Sequence, residues 1–335
     1  MQLPETLEGW LGLLEARHGQ AIQLGLDRVR VVRDALDLPK TCPVFTIGGT
    51  NGKGSTCALL EAVLLAAGYR VGLYTSPHLL KHNERVRIDG RDVSDEALVE
   101  AFAEVERARG DVPLTYFEHG TLAAWVAFCR AGLDAIILEV GLGGRLDAVN
   151  VFEPDCAIVT SVAMDHMDFL GDTREAIGFE KAGIFRAGRP AICSDPMPPA
   201  SLVAHAEAIG ARLWVTGRDF GFAGDQNQWA FWLAGGSRRG GLAYPALRGT
   251  NQLLNASAVM AACEAVRDIL PVPMQAIRQG FMLVELPGRF QVLPGRPTVV
   301  LDVAHNPQAA GVLGEPHSRP RVVLEVPRAA DAVVP

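Results

Sequence analysis

At 335 residues the chain exceeds what one hydrophobic core usually organises, so one large domain plus a second element is expected. Its hydrophobic fraction of 49% and mean hydropathy of +0.16 support a buried core, yet no run approaches the roughly 18 apolar residues of a membrane helix, and a net charge of −7 argues against general nucleic-acid binding. Met1 to Trp10 lacks the basic head and apolar centre of a signal peptide, and six scattered cysteines (Cys42, Cys57, Cys129, Cys156, Cys193, Cys263) without a C-x-x-C pair read as reduced core thiols, so a cytoplasmic protein is expected.

Leu7 to Ala16 reads as an amphipathic helix, followed by an apolar segment from His18 to Leu26 that Gly25 interrupts. Asp27 to Leu36 carries Val29, Val32 and Leu36 on one helical face, and Cys42 to Ile47 is a short buried strand. The strand feeds Thr46-Ile47-Gly48-Gly49-Thr50-Asn51-Gly52-Lys53-Gly54-Ser55-Thr56, which opens a helix over Cys57 to Ala67 that Gly68 ends. Glycines let backbone N–H groups approach phosphate oxygens, and the helix N-terminus adds a favourable dipole. Lys53 supplies a point charge, and Ser55 or Thr56 a hydroxyl for Mg2+. In the usual P-loop, Ser or Thr directly follows the lysine; here Gly54 intervenes. Tyr69 to Tyr74 completes a βαβ unit, which implies a parallel sheet with a site at the carboxyl ends of its strands.

Thr75-Ser76-Pro77-His78-Leu79 ends that second strand. There Ser76 either faces the phosphate cradle or belongs to a plain turn closed by Pro77, and local sequence does not choose. Ser94 caps a helix that runs to about Arg109, and Thr115-Tyr116-Phe117-Glu118 opens another through Cys129. Ala135 to Leu138 is a continuous apolar strand ending in Glu139, an acidic residue where a metal–nucleotide site wants one. Val140 to Asn150 holds three glycines with Arg145 and Asp147 embedded, which favours a functional loop over a turn. Cys156 to Thr160 is a further strand running into Asp165-His166; a lone histidine is usually structural, but a third strand end in one sheet raises the metal-ligand reading.

Thr173 caps a helix carrying Ile177, Glu180 and Lys181 and ended by Gly183; read locally, Glu180 and Lys181 are an exposed charged pair. Pro190 to Cys193 is a strand and Pro199 to Ile209 a helix. Residues 212–247 form a small turn-rich β region in which Trp214, Trp229 and Trp232 pack a small sheet. Asn251 begins an Ala-rich helix through Ile269, Pro273 starts another, and Thr298 to Asp302 is strand-like. From Gly311 onward, Pro316, Pro320, Pro327 and Pro335 break any periodic pattern.

Several motifs combine in unbroken order over about residues 1 to 310: Gly49 to Ser55, Ser76-Pro77-His78-Leu79, Thr115 to Glu118, Glu139 with Gly141 to Asp147, Asp165-His166, Glu180-Lys181-Ala182-Gly183-Ile184, Leu286-Pro287-Gly288-Arg289-Phe290 and Asp302-Val303-Ala304-His305-Asn306-Pro307. Together they closely resemble the folylpolyglutamate synthase family of the Mur ligase superfamily, in its bacterial bifunctional branch. The resemblance implies an α/β fold, a P-loop-containing central domain at residues 1–295 with a mostly parallel sheet flanked by helices plus the small β region. Residues 296–310 would be the first strand and loop of a Rossmann-like C-terminal domain otherwise largely missing, and 311–335 an irregular, aberrant tail.

It implies an ATP-dependent ligase adding L-glutamate to dihydropteroate and to the γ-carboxyl of folates through an acyl phosphate. The rival expectations are an ATP-binding remnant impaired in catalysis and a Mur-type ligase with another acceptor. By resemblance, Thr50, Asn51, Gly52, Lys53, Gly54, Ser55, Asn255, Arg289 and Asp302 bind ATP. Ser76 and Glu139 hold one Mg2+ and His166 a second, joined by Lys181 once CO2 has carbamylated it, and a monovalent cation is also compatible. Lys53, His166 and Lys181 are the expected catalytic residues. Leu24, Gly25, Leu26, Thr115, Tyr116, Phe117, Glu118, Leu146, Asp147 and Ala148 match pterin-substrate positions. The implied protein is a monomer acting on small molecules, with no nucleic-acid or membrane partner.

Overall fold

The computed structural model describes residues 3–17, 23–225, 227–236, 238–249, 251–296 and 299–314. Two helices, α1 (Leu7–Arg17) and α2 (Asp27–Leu36), precede strand β1 (Val44–Gly48), whose glycine loop leads into α3 (Lys53–Ala66). Then follow β2 (Val71–Tyr74), β3 (Val86–Ile88), β4 (Arg91–Asp92), α4 (Asp95–Arg109), α5 (Tyr116–Ala131) and β5 (Ala135–Glu139). The chain continues through β6 (Cys156–Val159), α6 (Met167–Leu170), α7 (Arg174–Ala182), β7 (Pro190–Cys193), α8 (Ala200–Ala208) and β8 (Arg212–Val215). Last come β9 (Phe220–Gly224), β10 (Trp229–Leu233), β11 (Arg238–Leu242), α9 (Gln252–Ala265), α10 (Met274–Leu283), β12 (Gln291–Leu293), β13 (Val299–Leu301) and α11 (Pro307–Gly314).

Eight strands form the main sheet in the order β4-β3-β2-β5-β1-β6-β7-β8. β2, β5, β1, β6, β7 and β8 pair in parallel, while β3 and β4 add an antiparallel edge. The strands are apolar almost throughout because both faces are covered. Phe45, Ile47, Ile137 and Ile158 pack with α3, α9 and α10, whereas Val44, Ile136, Leu138 and Val159 face the layer of α2, α4, α5 and α7. From central β1 the chain steps outward to β2, fills the gap with β5, and crosses to the other side of β1 with β6. Their carboxyl ends therefore meet around the glycine loop, where open α/β sheets bind ligands.

The helix caps follow the sequence. Ser94 Oγ accepts the Ala97 N–H, and Thr173 Oγ1 the Ala176 N–H. Thr115 and Glu118 form a reciprocal capping box at the start of α5.

Two expectations change. Trp214 does not belong to the small sheet: β8, which carries it, pairs in parallel with β7, because α8 returns the chain as one more crossover unit. Only β9, β10 and β11 form the separate three-stranded sheet, with Trp229 buried in it and donating to the Ala243 carbonyl. Near the end, β13 pairs antiparallel with β12, so a two-stranded ribbon spans the boundary expected at 295/296, and α11 carries helical structure past residue 310 to Gly314. The irregular tail expected at 311–335 otherwise falls, with residues 18–22, outside the described residues. Among the described residues no helix is long and apolar enough to cross a membrane.

Candidate functional site

Two glycines of the first loop are demanded by close approach. Gly49 has φ +144, and a Cβ there would sit 1.9 Å from Thr160 Oγ1; Gly52 has φ +89, and its Cβ would meet Asn255 Oδ1 at 2.7 Å. The loop is sewn to the end of β6. Thr50 N–H donates to the Ser161 carbonyl at 2.8 Å and Asn51 N–H to Ser161 Oγ at 3.0 Å, while Thr160 Oγ1 donates to the Asn51 carbonyl at 2.7 Å. The Thr50 and Asn51 amides, expected to reach phosphate, are thus already committed. The donors left at this helix terminus are the N–H groups of Lys53, Gly54 and Ser55 in the first turn of α3, which have no intrahelical acceptor. Lys53 Nζ folds back onto the Gly49 and Thr50 carbonyls at 3.1 and 3.2 Å.

Glu139, at the end of β5, is buried, and its Oε2 accepts the Ser76 N–H at 3.1 Å. Burial raises its pKa, opposed by Lys53, the Ser76 amide and Arg289. Ser76 Oγ is buried and has no hydrogen-bond partner among the described residues. An orphaned hydroxyl costs about 1–3 kcal/mol of desolvation, and Ser76 lines a cavity from which a ligand can supply the missing partner. With the Glu139 carboxylate it makes the hard-oxygen pair that a divalent cation such as Mg2+ takes, so these residues fit the ion.

A cavity of about 730 Å³ opens here, in the size range of a small-molecule pocket. All the expected nucleotide residues line it: Thr50, Asn51, Gly52, Lys53, Gly54, Ser55, Asn255, Arg289 and Asp302, together with Ser76 and Glu139. Tyr244, Arg248, Gln252, His305 and Gln308 line it too; the polar opening Asn251-Gln252 of α9 is the one sequence signal for that wall.

His166 and Lys181 stand beside this cavity rather than in its wall. His166 has φ +47, caps α6 and is exposed; its N–H donates to Asp165 Oδ1 at 2.9 Å. Desolvation lowers its pKa, against Asp165, with the charges of Lys53, Lys181 and His305 assisting. Lys181 is buried, which overturns its reading as half of an exposed pair. Burial first, then the charge of Lys53, lowers its pKa to about 7, with Asp165 and Asp147 opposing.

The second glycine loop packs against the helix that carries Lys181. A Cβ at Gly144 would lie 2.8 Å from the Glu180 carbonyl, and one at Gly183 would lie 2.4 Å from Arg145 Cβ. The loop therefore presses directly on α7, and Arg145 clasps Glu180 at 2.8 Å. These glycines serve close packing, while the residues after them reach a second site.

That site is a cavity of about 30 Å³, roughly one water's share of the liquid, lined by Gln23, Leu24, Gly25, Thr115, Phe117, Glu118, Leu142, Leu146, Asp147 and Ala148. Eight of the ten expected pterin positions meet here across three separate chain segments. Leu26 instead lies in the core, and the Tyr116 hydroxyl bonds His82 Nδ1 at 2.8 Å. Glu118 is held by Arg28 at 2.8 Å. Asp147 accepts the Leu142 and Val149 amides, and burial lifts its pKa to about 6.

The chain is similar to known proteins in sequence and in fold. Residues 47–219 match the Mur ligase middle domain. The chain is 48% identical over 313 residues to the dihydrofolate synthase/folylpolyglutamate synthase of Escherichia coli strain K12, covering 93% of this chain and 72% of that protein. Among solved structures, E. coli FolC in complex with DHPP and ADP superposes with a TM-score of 0.89 at 47% identity, covering 93% of this chain and 74% of that one. The Yersinia pestis bifunctional folylpolyglutamate synthase/dihydrofolate synthase complexed with AMPPNP and Mn ion gives 0.87 at 48% identity, over 93% and 75%.

Proposed function

The chain belongs to the dihydrofolate synthase/folylpolyglutamate synthase family of Mur ligases, ATP-dependent ligases that add glutamate, and from that premise we propose how its two cavities divide the work. The large cavity takes ATP, the small one opens for the pterin end of dihydropteroate or a folate, and the substrate carboxylate lies between them. The chain acts in this reading as a cytoplasmic monomer. The observation that carries it is the orphaned Ser76 hydroxyl beside Glu139, facing the Lys53 loop.

The carboxylate oxygen attacks the γ-phosphorus of ATP, ADP leaves, and the resulting acyl phosphate is a far better acyl donor than the acid. The neutral glutamate amine then adds to the acyl carbon, its nitrogen gives up a proton that ends on the departing phosphate or in solvent, and collapse of the tetrahedral adduct expels phosphate. Both steps join anions, so positioning and charge neutralisation dominate. Lys53, released from the Gly49 and Thr50 carbonyls, turns to the phosphates; the amides of Lys53, Gly54 and Ser55 and the Arg289 guanidinium hold them from other sides. Mg2+ at Ser76 and Glu139, with a second ion on the His166 side, supplies further neutralisation when bound.

Lys181 takes part as a carbamate. With a pKa near 7, about half of its Nζ is the free amine at neutral pH. The nitrogen lone pair bonds to CO2 carbon and a proton leaves to solvent, converting a buried base into an anionic oxygen ligand. A carbamate resonance in protein equilibrated with 13C-labelled CO2, absent from Lys181→Ala, is the expected result.

Glutamate-dependent ADP release with dihydropteroate tests the whole reading. Nucleotide binding without any such turnover would overturn the ligase function for this polypeptide.

A further inference from the structure

Asn306 is buried and uses every hydrogen-bonding position of its amide. Its Nδ2 donates to Asn51 Oδ1 at 2.9 Å and to Asp165 Oδ2 at 3.0 Å. Its Oδ1 accepts from Asn51 Nδ2 at 3.2 Å and from the Ala309 N–H at 3.0 Å, capping α11. The orientation of the amide is settled by chemistry, because a carboxylate can only accept and a backbone N–H can only donate. Asn51 in turn spends its second amide hydrogen on Gln308 Oε1 at 2.7 Å, and Asp165 gives its other oxygen to the His166 N–H. One side chain, 255 positions along the chain from the glycine loop, thus fastens that loop and the Asp165-His166 turn together.

We infer that Asn306 is a positioning residue that sets the nucleotide loop, through the reciprocal Asn51 pair and the Asp165 tie, in its binding form before nucleotide arrives. Fixing a loop beforehand removes ordering entropy from the binding step, so the tie appears as affinity. The inference rests on the reading of the large cavity as the nucleotide site. A helix cap alone would not need asparagine: Asp and Ser cap equally well. Aspartate, however, has no hydrogen to offer either Asn51 Oδ1 or Asp165, and it sets a second carboxylate against Asp165.

The test is Asn306→Asp, with binding of a fluorescent ATP analogue and the thermal midpoint measured on the full chain. Nucleotide affinity is expected to fall about tenfold, equivalent to about 1.4 kcal/mol, in a chain that still folds cooperatively, with a somewhat lower midpoint because two buried acceptors lose their donor. Adding Asp165→Asn to Asn306→Asp restores a donor facing an acceptor and should recover much of that affinity. Should Asn306→Asp fail to fold, Asn306→Ser keeps the cap but cannot span both partners, and the same weakening is expected of it. Wild-type affinity in the folded variant refutes the inference, as does a double variant no better than Asn306→Asp. A wild-type chain that binds no nucleotide would instead overturn the site assignment itself.

Discussion

Replacing Ser76 by alanine separates a binding role from a structural one, because the two predict opposite signs. The substitution removes a buried hydroxyl that has no partner among the described residues and leaves the main-chain N–H that orients Glu139. Without ligand, the folded state loses a desolvation penalty and no hydrogen bond. At the low end of the usual range, since Ser76 keeps 9% exposure, that is about 1 kcal/mol of stabilisation, or an upward shift of the thermal midpoint of about 2 °C. With nucleotide and Mg2+ the sign reverses. A ligand at 100 times its Kd stabilises by about 2.7 kcal/mol, and a tenfold loss of affinity removes about 1.4 kcal/mol of that. Scanning fluorimetry of both proteins, with and without nucleotide and Mg2+, reads both quantities. A lower midpoint for the ligand-free variant, or an undiminished ligand-induced shift, refutes the assignment of Ser76 to the metal–nucleotide site.

Lys53→Ala removes the one loop cation and should weaken ATP binding and turnover by about a hundredfold, the scale of a charge-assisted phosphate contact, as measured by calorimetry and ADP release. Gly49→Ala forces a Cβ to 1.9 Å from Thr160 Oγ1 at φ +144; soluble yield should collapse, and a well-folded variant would show the loop geometry to be wrong. For Lys181 the unfolded chain holds its proton to about pH 10.5 and the folded chain only to about 7. Between those values the unfolded state binds more protons, so stability gains as pH rises from 7 toward 10.5. In CO2-free buffer the midpoint difference between wild type and Lys181→Met should narrow over that window in favour of wild type; a constant difference contradicts the burial of a free amine.

The elements with strong local signals are legible in the sequence itself. Asp27–Leu36 and Pro190–Cys193 agree end for end with the expected helix and strand, and the caps at Ser94 and Thr173 are made by the side chains that announce them. Local hydrogen bonding and periodicity act over three or four residues, so one chain segment carries its own signal. Trp214 defeats sequence reading for the converse reason: a short apolar strand looks alike in a parallel sheet and in a small meander, and only pairing with β7 distinguishes them.

The sequence by itself determined the glycine loop, most of the parallel strands with the main helices between them, and which residue types stand at the strand ends, but it did not announce the β3–β4 edge. Tertiary structure alone decided how they are used. It spent the Thr50 and Asn51 amides on Ser161, buried Lys181 on a helix that the second glycine loop packs against, and left Ser76 Oγ without a partner among the described residues. It also brought Asn306 against Asn51. Partnership and desolvation are properties of atoms meeting across long sequence separations, and a side chain's neighbours in space, not in sequence, determine whether it is a packing group, a ligand or a base.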